Sequence, residues 1–121
     1  MNRRSLVLLF VLLLLAMAAP ARAQDQKHEA QLRTVRGTVV DKDENPVAGS
    51  IVYLKNVKTL SVKTYIADEE GKYRFSGLDP NVDYELHAEK EDLTSGTRKI
   101  SSFDSRKDIP VFLKLDKKKN K

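Results

Sequence analysis

The chain has 121 residues, with 22 Lys and Arg against 17 Asp and Glu, two His, and neither Cys nor Trp. That length holds one domain and excludes a multidomain enzyme, and the lack of Cys excludes a disulfide-stapled miniprotein and a lipoprotein anchored through a cysteine. The formal charge of +5 is concentrated at the front, because residues 1–23 carry Arg3, Arg4 and Arg22 with no acid; the remainder has 19 basic and 17 acidic residues, which does not point to nucleic acid.

Arg3 and Arg4 precede an apolar run of 14 residues from Leu6 to Ala19. As a helix it spans about 21 Å, short of the roughly 30 Å hydrocarbon layer of a bilayer. Pro20 ends the run, and Ala21-Arg22-Ala23 places small residues at −3 and −1 of a cleavage point. Residues 1–23 are expected to be a secretory signal peptide cut before Gln24, with an uncleaved anchor as the alternative. Residues 24–31, with Lys27, His28 and Glu29, have no period and read as a flexible lead-in.

From Leu32 to Leu115 the pattern is strand, turn, strand. Thr34–Val40 sets Val35, Gly37 and Val39 on one face. Ser50–Lys55 sets Ser50, Val52 and Leu54 inward and Ile51 and Tyr53 outward. Leu60–Ala67 alternates Leu60, Val62, Thr64 and Ile66 against Ser61, Lys63 and Tyr65, and the first set is read as the core side. Lys72–Ser76 points Tyr73 and Phe75 inward, followed by Leu78. Asp83–Glu89 alternates Tyr84, Leu86 and Ala88 against Asp83, Glu85, His87 and Glu89. Thr97–Phe103 is a sixth run, and Ile109, Val111, Leu113 and Leu115 mark a seventh. Period two cannot be a helical stripe. Residues 116–121 read as a solvated basic tail.

Val35-Arg36-Gly37-Thr38-Val39-Val40-Asp41, Asn45-Pro46-Val47-Ala48-Gly49-Ser50-Ile51-Val52, Asp68-x-x-Gly71-x-Tyr73-x-Phe75-x-x-Leu78 and Tyr84-x-Leu86-x-Ala88 follow one another in an order that resembles the carboxypeptidase regulatory-like domain. The resemblance covers about Thr34 to Leu115. It implies an all-β fold: a seven-stranded antiparallel Greek-key β-sandwich, transthyretin-like, in which Asn81 takes the left-handed turn position usually held by Gly. In that family the domain accompanies metallocarboxypeptidase catalytic domains and also occurs at the front of outer-membrane receptors and in exported bacterial proteins.

No catalytic set assembles from the residues. His28 and His87 have no partner by spacing, no nucleophile elbow is present, and zinc-ligand spacing is missing. The related hydroxyisourate hydrolases end in Tyr-Arg-Gly-Ser, whereas this chain ends in Lys118-Lys119-Asn120-Lys121. Asp41-x-Asp43-x-Asn45 opens like a calcium loop, but Pro46 and Val52 stand where an EF-hand needs Gly and Glu. Loops 41–46, 68–71 and 89–96 gather nine acids at one expected end of the sandwich. Neither a resident metal nor a cofactor is expected.

If the second and third runs pair as a hairpin, Ile51, Tyr53, Tyr65 and Ala67 form an outward patch beside Lys55 and Lys63. Such a patch suits an envelope protein or a polysaccharide. The expected protein is therefore an exported, periplasmic or extracellular, non-enzymatic binding or structural module. The alternative is an accessory subunit for a separately encoded peptidase or outer-membrane transporter.

Overall fold

The computed structural model describes residues 32–119. The expected signal peptide and the lead-in, His28 included, lie outside the described residues. Alternating apolar side chains produce nine strands among these residues: β1 (Arg33–Val40), β2 (Ile51–Asn56), β3 (Val62–Ile66), β4 (Lys72–Leu78), β5 (Tyr84–Lys90), β6 (Leu93–Ser95), β7 (Arg98–Ile100), β8 (Asp108–Pro110) and β9 (Leu113–Lys118). They pair in the order β3-β2-β5-β6-β9-β1-β4, with β7 on β5 and β8 on β1. One layer is β4-β1-β8, the other β3-β2-β5 with β6 and β7, and β9 joins the two by pairing with both β1 and β6.

The core is where the alternation places it for most strands. Val35, Val39, Val52, Leu54, Tyr73, Phe75, Leu78, Tyr84, Leu86, Val111 and Leu113 are all buried and form one cluster. Ala67, Val82, Ala88, Ile100, Ile109 and Leu115 complete it.

Two parts of the expected topology are corrected. The strands number nine rather than seven, and the sandwich is not purely antiparallel: β1 runs parallel to β8 (Val35 opposite Ile109) and to β9 (Val39 opposite Leu113). The chain leaves β7 and returns through residues 101–107 to the start of β1, where the Thr34 N–H donates to Lys107 O at 2.7 Å, so the last run travels in the direction of β1. That run is cut in two at Val111, whose carbonyl turns inward. The sixth run starts earlier than expected and is also divided, because Ser95 Oγ takes the Ala88 N–H at 2.9 Å in place of a ladder carbonyl. The final strand passes Leu115 and reaches Lys118, paired with Leu93, so the first half of the expected tail belongs to the sheet.

Asn81 does not occupy the left-handed region; Glu44, Leu60 and Glu91 are the described non-glycine residues that do. The tight turn before β4 is at Gly71 (φ 74°), with Asp68 Oδ1 accepting the N–H groups of Glu70 and Lys72.

Arg33 is the charged residue buried among the described residues. It is 2% exposed and its guanidinium donates to the carbonyls of Ser101, Asp79 and Val82 at 2.7, 3.0 and 2.8 Å. A buried charge is tolerated only with dense hydrogen bonding, and here backbone oxygens from two loops supply it. The side chain ties the turn after β4 to the loop after β7.

Candidate binding surfaces

The expected site of Ile51, Tyr53 and Tyr65 is split by the register of β2 and β3. Ile51 stands opposite Ile66, Val52 opposite Tyr65, Tyr53 opposite Thr64, Leu54 opposite Lys63 and Lys55 opposite Val62. Residues directly opposite one another share a face. Tyr65 and Lys63 therefore lie with Val52 and Leu54 on the inner side, while Ile51, Tyr53, Lys55, Val62 and Ile66 lie on the outer side. The expectation that Val62 and Ile66 enter the core is corrected: they are 53% and 69% exposed. A one-residue difference in register inverts every side chain, and here the register is set by the small pair Ser50 and Ala67, both buried, with the Ala67 N–H on Ser50 O at 2.8 Å. Ala67, placed in the outward patch by the sequence reading, is interior.

Tyr65 nevertheless remains at the surface, because β3 is the last strand of its layer and its inner side overhangs the rim of the core. Its ring meets Phe75 edge-on, with centroids 6.0 Å apart. It also lines a shallow groove of about 380 Å³ shared with Lys72, Arg74 and Phe112.

On the outer side, Tyr53 stacks on His87 of β5, with centroids 4.8 Å apart and planes 9° apart. His87 Nε2 lies 2.9 Å from Glu89 Oε2, and Lys119 Nζ lies 2.6 Å from Glu89 Oε1. Lys119, then His87, hold the Glu89 carboxyl below its ordinary range. The sequence reading gave His87 no partner; the structure gives it two. Glu89 was legible, since residues two apart on a strand share a face, whereas Tyr53 needed the β2–β5 register.

Among the described residues β3 presents an open edge. The Asn56 N–H bonds Ser61 O and the Ala67 N–H bonds Ser50 O, each at 2.8 Å. In an antiparallel ladder this alternates by two, so the backbone groups of Lys63 and Tyr65 face β2, and those of Val62, Thr64 and Ile66 face outward. All five β3 residues are exposed.

The acidic loops do not form a metal centre among the described residues, where no three His, Cys, Asp or Glu side chains converge. Asp41 Oδ1 is spent on the N–H groups of Asp43 and Asn45, and Glu44 pairs with Lys114 at 3.8 Å. The acids serve turns and ion pairs.

Comparison with known proteins decides the family. The carboxypeptidase regulatory-like domain matches residues 34–111. The chain belongs to this family. Relatives of the matched segment include serine-aspartate repeat-containing protein D of Staphylococcus aureus strain Newman, 36% identical over 75 residues, which are 62% of this chain and 6% of that protein. Serine-aspartate repeat-containing protein I of Staphylococcus saprophyticus is 43% identical over 65 residues, 53% of this chain and 3% of that protein. The chain thus spans a small fraction of the length of these relatives. Among solved structures, a streptococcal ancillary pilin superposes with a TM-score of 0.55 at 14% identity, covering 73% of this chain and 33% of that one. A chlorocatechol 1,2-dioxygenase from Pseudomonas putida does so with a TM-score of 0.57 at 9% identity, covering 74% and 61%. At such identities the likeness is one of fold alone.

Proposed function

We propose that this chain is an exported, non-enzymatic β-sandwich module of the cell envelope that meets a protein partner along the β3 edge and the outer face bearing Ile51 and Tyr53. The observation that carries the reading is β3: an exposed strand with three residues' backbone groups directed outward, flanked by Ile51, Val62 and Ile66. An extended segment adds to such an edge through main-chain hydrogen bonds, with the flanking side chains supplying specificity. Natural edges are often blunted by charge, and Lys63, on the inner side, is the one charge on β3; the outer side, Val62, Thr64 and Ile66, carries none. The basic-apolar run and Ala-x-Ala of residues 1–23 support export as a cleaved signal peptide. The serine-aspartate repeat relatives support a non-enzymatic envelope module. The pilin and the dioxygenases, alike in fold alone, lend neither a setting nor an activity.

The test is Thr64→Pro. The Thr64 N–H faces outward, so proline removes an edge donor without breaking the β2 ladder. A photo-crosslinker at Val62 should give one discrete protein adduct in the native envelope, and Thr64→Pro should abolish it while the unfolding midpoint stays within about 1 kcal/mol of wild type. An adduct that survives Thr64→Pro removes strand addition at β3 as the mode of contact.

A further inference from the structure

We infer that the outer face of β4-β1-β8, on the other layer from the β3 edge strip, binds an acidic polysaccharide, with Arg36 and Arg74 taking a sugar carboxylate and Phe112 carrying the sugar ring. The argument begins with register. Arg36 of β1 stands directly opposite Arg74 of β4, and both are exposed. Like charges directly opposite on paired strands destabilise a sheet, so this pairing works against the fold.

It is only partly neutralised. Asp108 places both carboxylate oxygens on Arg36 Nε, at 2.9 and 3.0 Å. That leaves the two terminal amino groups of Arg36 without a partner, and Arg74 makes neither an ion pair nor a side-chain hydrogen bond among the described residues. Lys72, two residues along β4 and so on the same face, is already held by Glu70 at 3.0 Å. The open cationic groups are therefore Arg74 and the outer half of Arg36. The Asp108 carboxyl, held below its ordinary range by Arg36 and further by the charge of Arg74, stays an anion and does not become a competing donor.

Both arginines line the 380 Å³ groove together with Tyr65 of β3, the carboxylate-bearing Asp68, Pro110 and Phe112, the last 66% exposed. A guanidinium fork matches a carboxylate in two parallel hydrogen bonds. An aromatic face beside it calls for a flat apolar surface on the same ligand. A sugar ring that carries its own carboxylate has both, one C–H face for Phe112 and one anion for the arginine pair. An acidic peptide or free phosphate satisfies the arginines and leaves Phe112 bare.

The test uses the full chain, expressed with its own N-terminus and recovered from the exported fraction. It is titrated at low salt with an oligogalacturonate hexamer, a neutral cello-oligosaccharide of equal length and a polyglutamate of equal charge. Oligogalacturonate is expected to bind and the neutral sugar not to. Arg74→Gln should weaken binding about tenfold, the loss of a charge-assisted contact, and Phe112→Ala should weaken it severalfold. Lys58→Gln, which removes one exposed charge from the turn between β2 and β3, should leave it unchanged. Binding of oligogalacturonate unaffected by Arg74→Gln, or no binding at all, overturns the proposal. Polyglutamate bound as tightly, with Phe112→Ala silent, overturns it in favour of an acidic peptide. The β3 reading does not depend on this site, so each can fail alone.

Discussion

Tyr73 donates its phenol hydrogen to the carbonyl oxygen of Val111 at 2.6 Å, and Gly37 is what lets the two approach. A Cβ built on Gly37 would lie 1.7 Å from Val111 O and 2.9 Å from the Tyr73 hydroxyl. No side-chain rotation relieves a clash with backbone. Gly37→Ala should therefore cost at least about 3 kcal/mol. Tyr73→Phe, which leaves a buried carbonyl without its donor, should cost about 1–3 kcal/mol. Urea midpoints of the two variants check both, and a Gly37→Ala protein as stable as wild type would contradict the packing.

Replacing Arg33 with Met keeps the volume and removes the guanidinium bonds to Ser101, Asp79 and Val82; Ser101 O keeps the Asp104 N–H at 3.1 Å and Asp79 O the Val82 N–H at 3.4 Å. The expected loss is roughly 2–4 kcal/mol, because the buried Val82 carbonyl is left unpaired and the charge-assisted bonds that join the two loops are lost. Hydrogen exchange should rise first at residues 79–82 and 101–104, which the guanidinium joins. A uniform change across the sandwich would show that Arg33 acts through general packing instead.

Phe75→Ala and Ile66→Ala remove large apolar side chains from neighbouring strands but should differ several-fold in effect. Phe75 is interior, so its loss should cost about 3–5 kcal/mol. Ile66 is mostly in water, and its loss should stay below about 1 kcal/mol. Equal costs would restore the orientation of β3 that alternation suggested.

Stability should form a plateau with pH and decline on both sides. The carboxyls of Asp83, Glu89, Asp104 and Asp108 are all held low in the fold, Asp104 at about 2, chiefly by its hydrogen bond with Arg106. In the unfolded chain they titrate near 4. Their contribution is therefore full above about pH 4 and is lost as pH falls toward about 2. Burial raises the Tyr73 phenol above its ordinary value near 10. Its contribution is full below about pH 10 and is lost as pH rises beyond it. Thermal midpoints measured across the range should show both limbs, and Asp104→Asn should flatten the acidic one.

Much of the fold was readable because most strands are half-buried and their residues alternate: Val52 and Leu54, Tyr73 and Phe75, Tyr84 and Leu86 all lie where period two puts them. The third run was misread for the same reason. Alternation gives two faces but does not say which is wet, and on an edge strand neither face is fully covered. Ala67, too small to register as a core residue, decides the orientation. Parallel pairing of β8 and β9 with β1 leaves no mark on periodicity, since direction is not a property of side chains. Arg33 was missed because a charged side chain is almost never fully buried, and its acceptors are backbone oxygens with no signature in side-chain type. The aromatic content of the candidate surface was legible at Tyr53 and Tyr65, whereas their separation and the Arg36–Arg74 pairing depend on contacts between distant strands.

The parallel pairing of β1 with β9 has a mechanical consequence. Val39 and Val40 lie beside Leu113 and Lys114, and β9 continues onward in the direction in which β1 arrived. Arg33 and Lys118 therefore sit at opposite poles of the sandwich. Tension applied between them runs along the strands, loading the bonds at the β1–β9 junction in shear together with the flanking antiparallel ladders of β4 and β6. Peeling would break such bonds one after another, whereas shear makes them resist together. Set in line between two attachments, the domain would bear a steady pull as a stiff link.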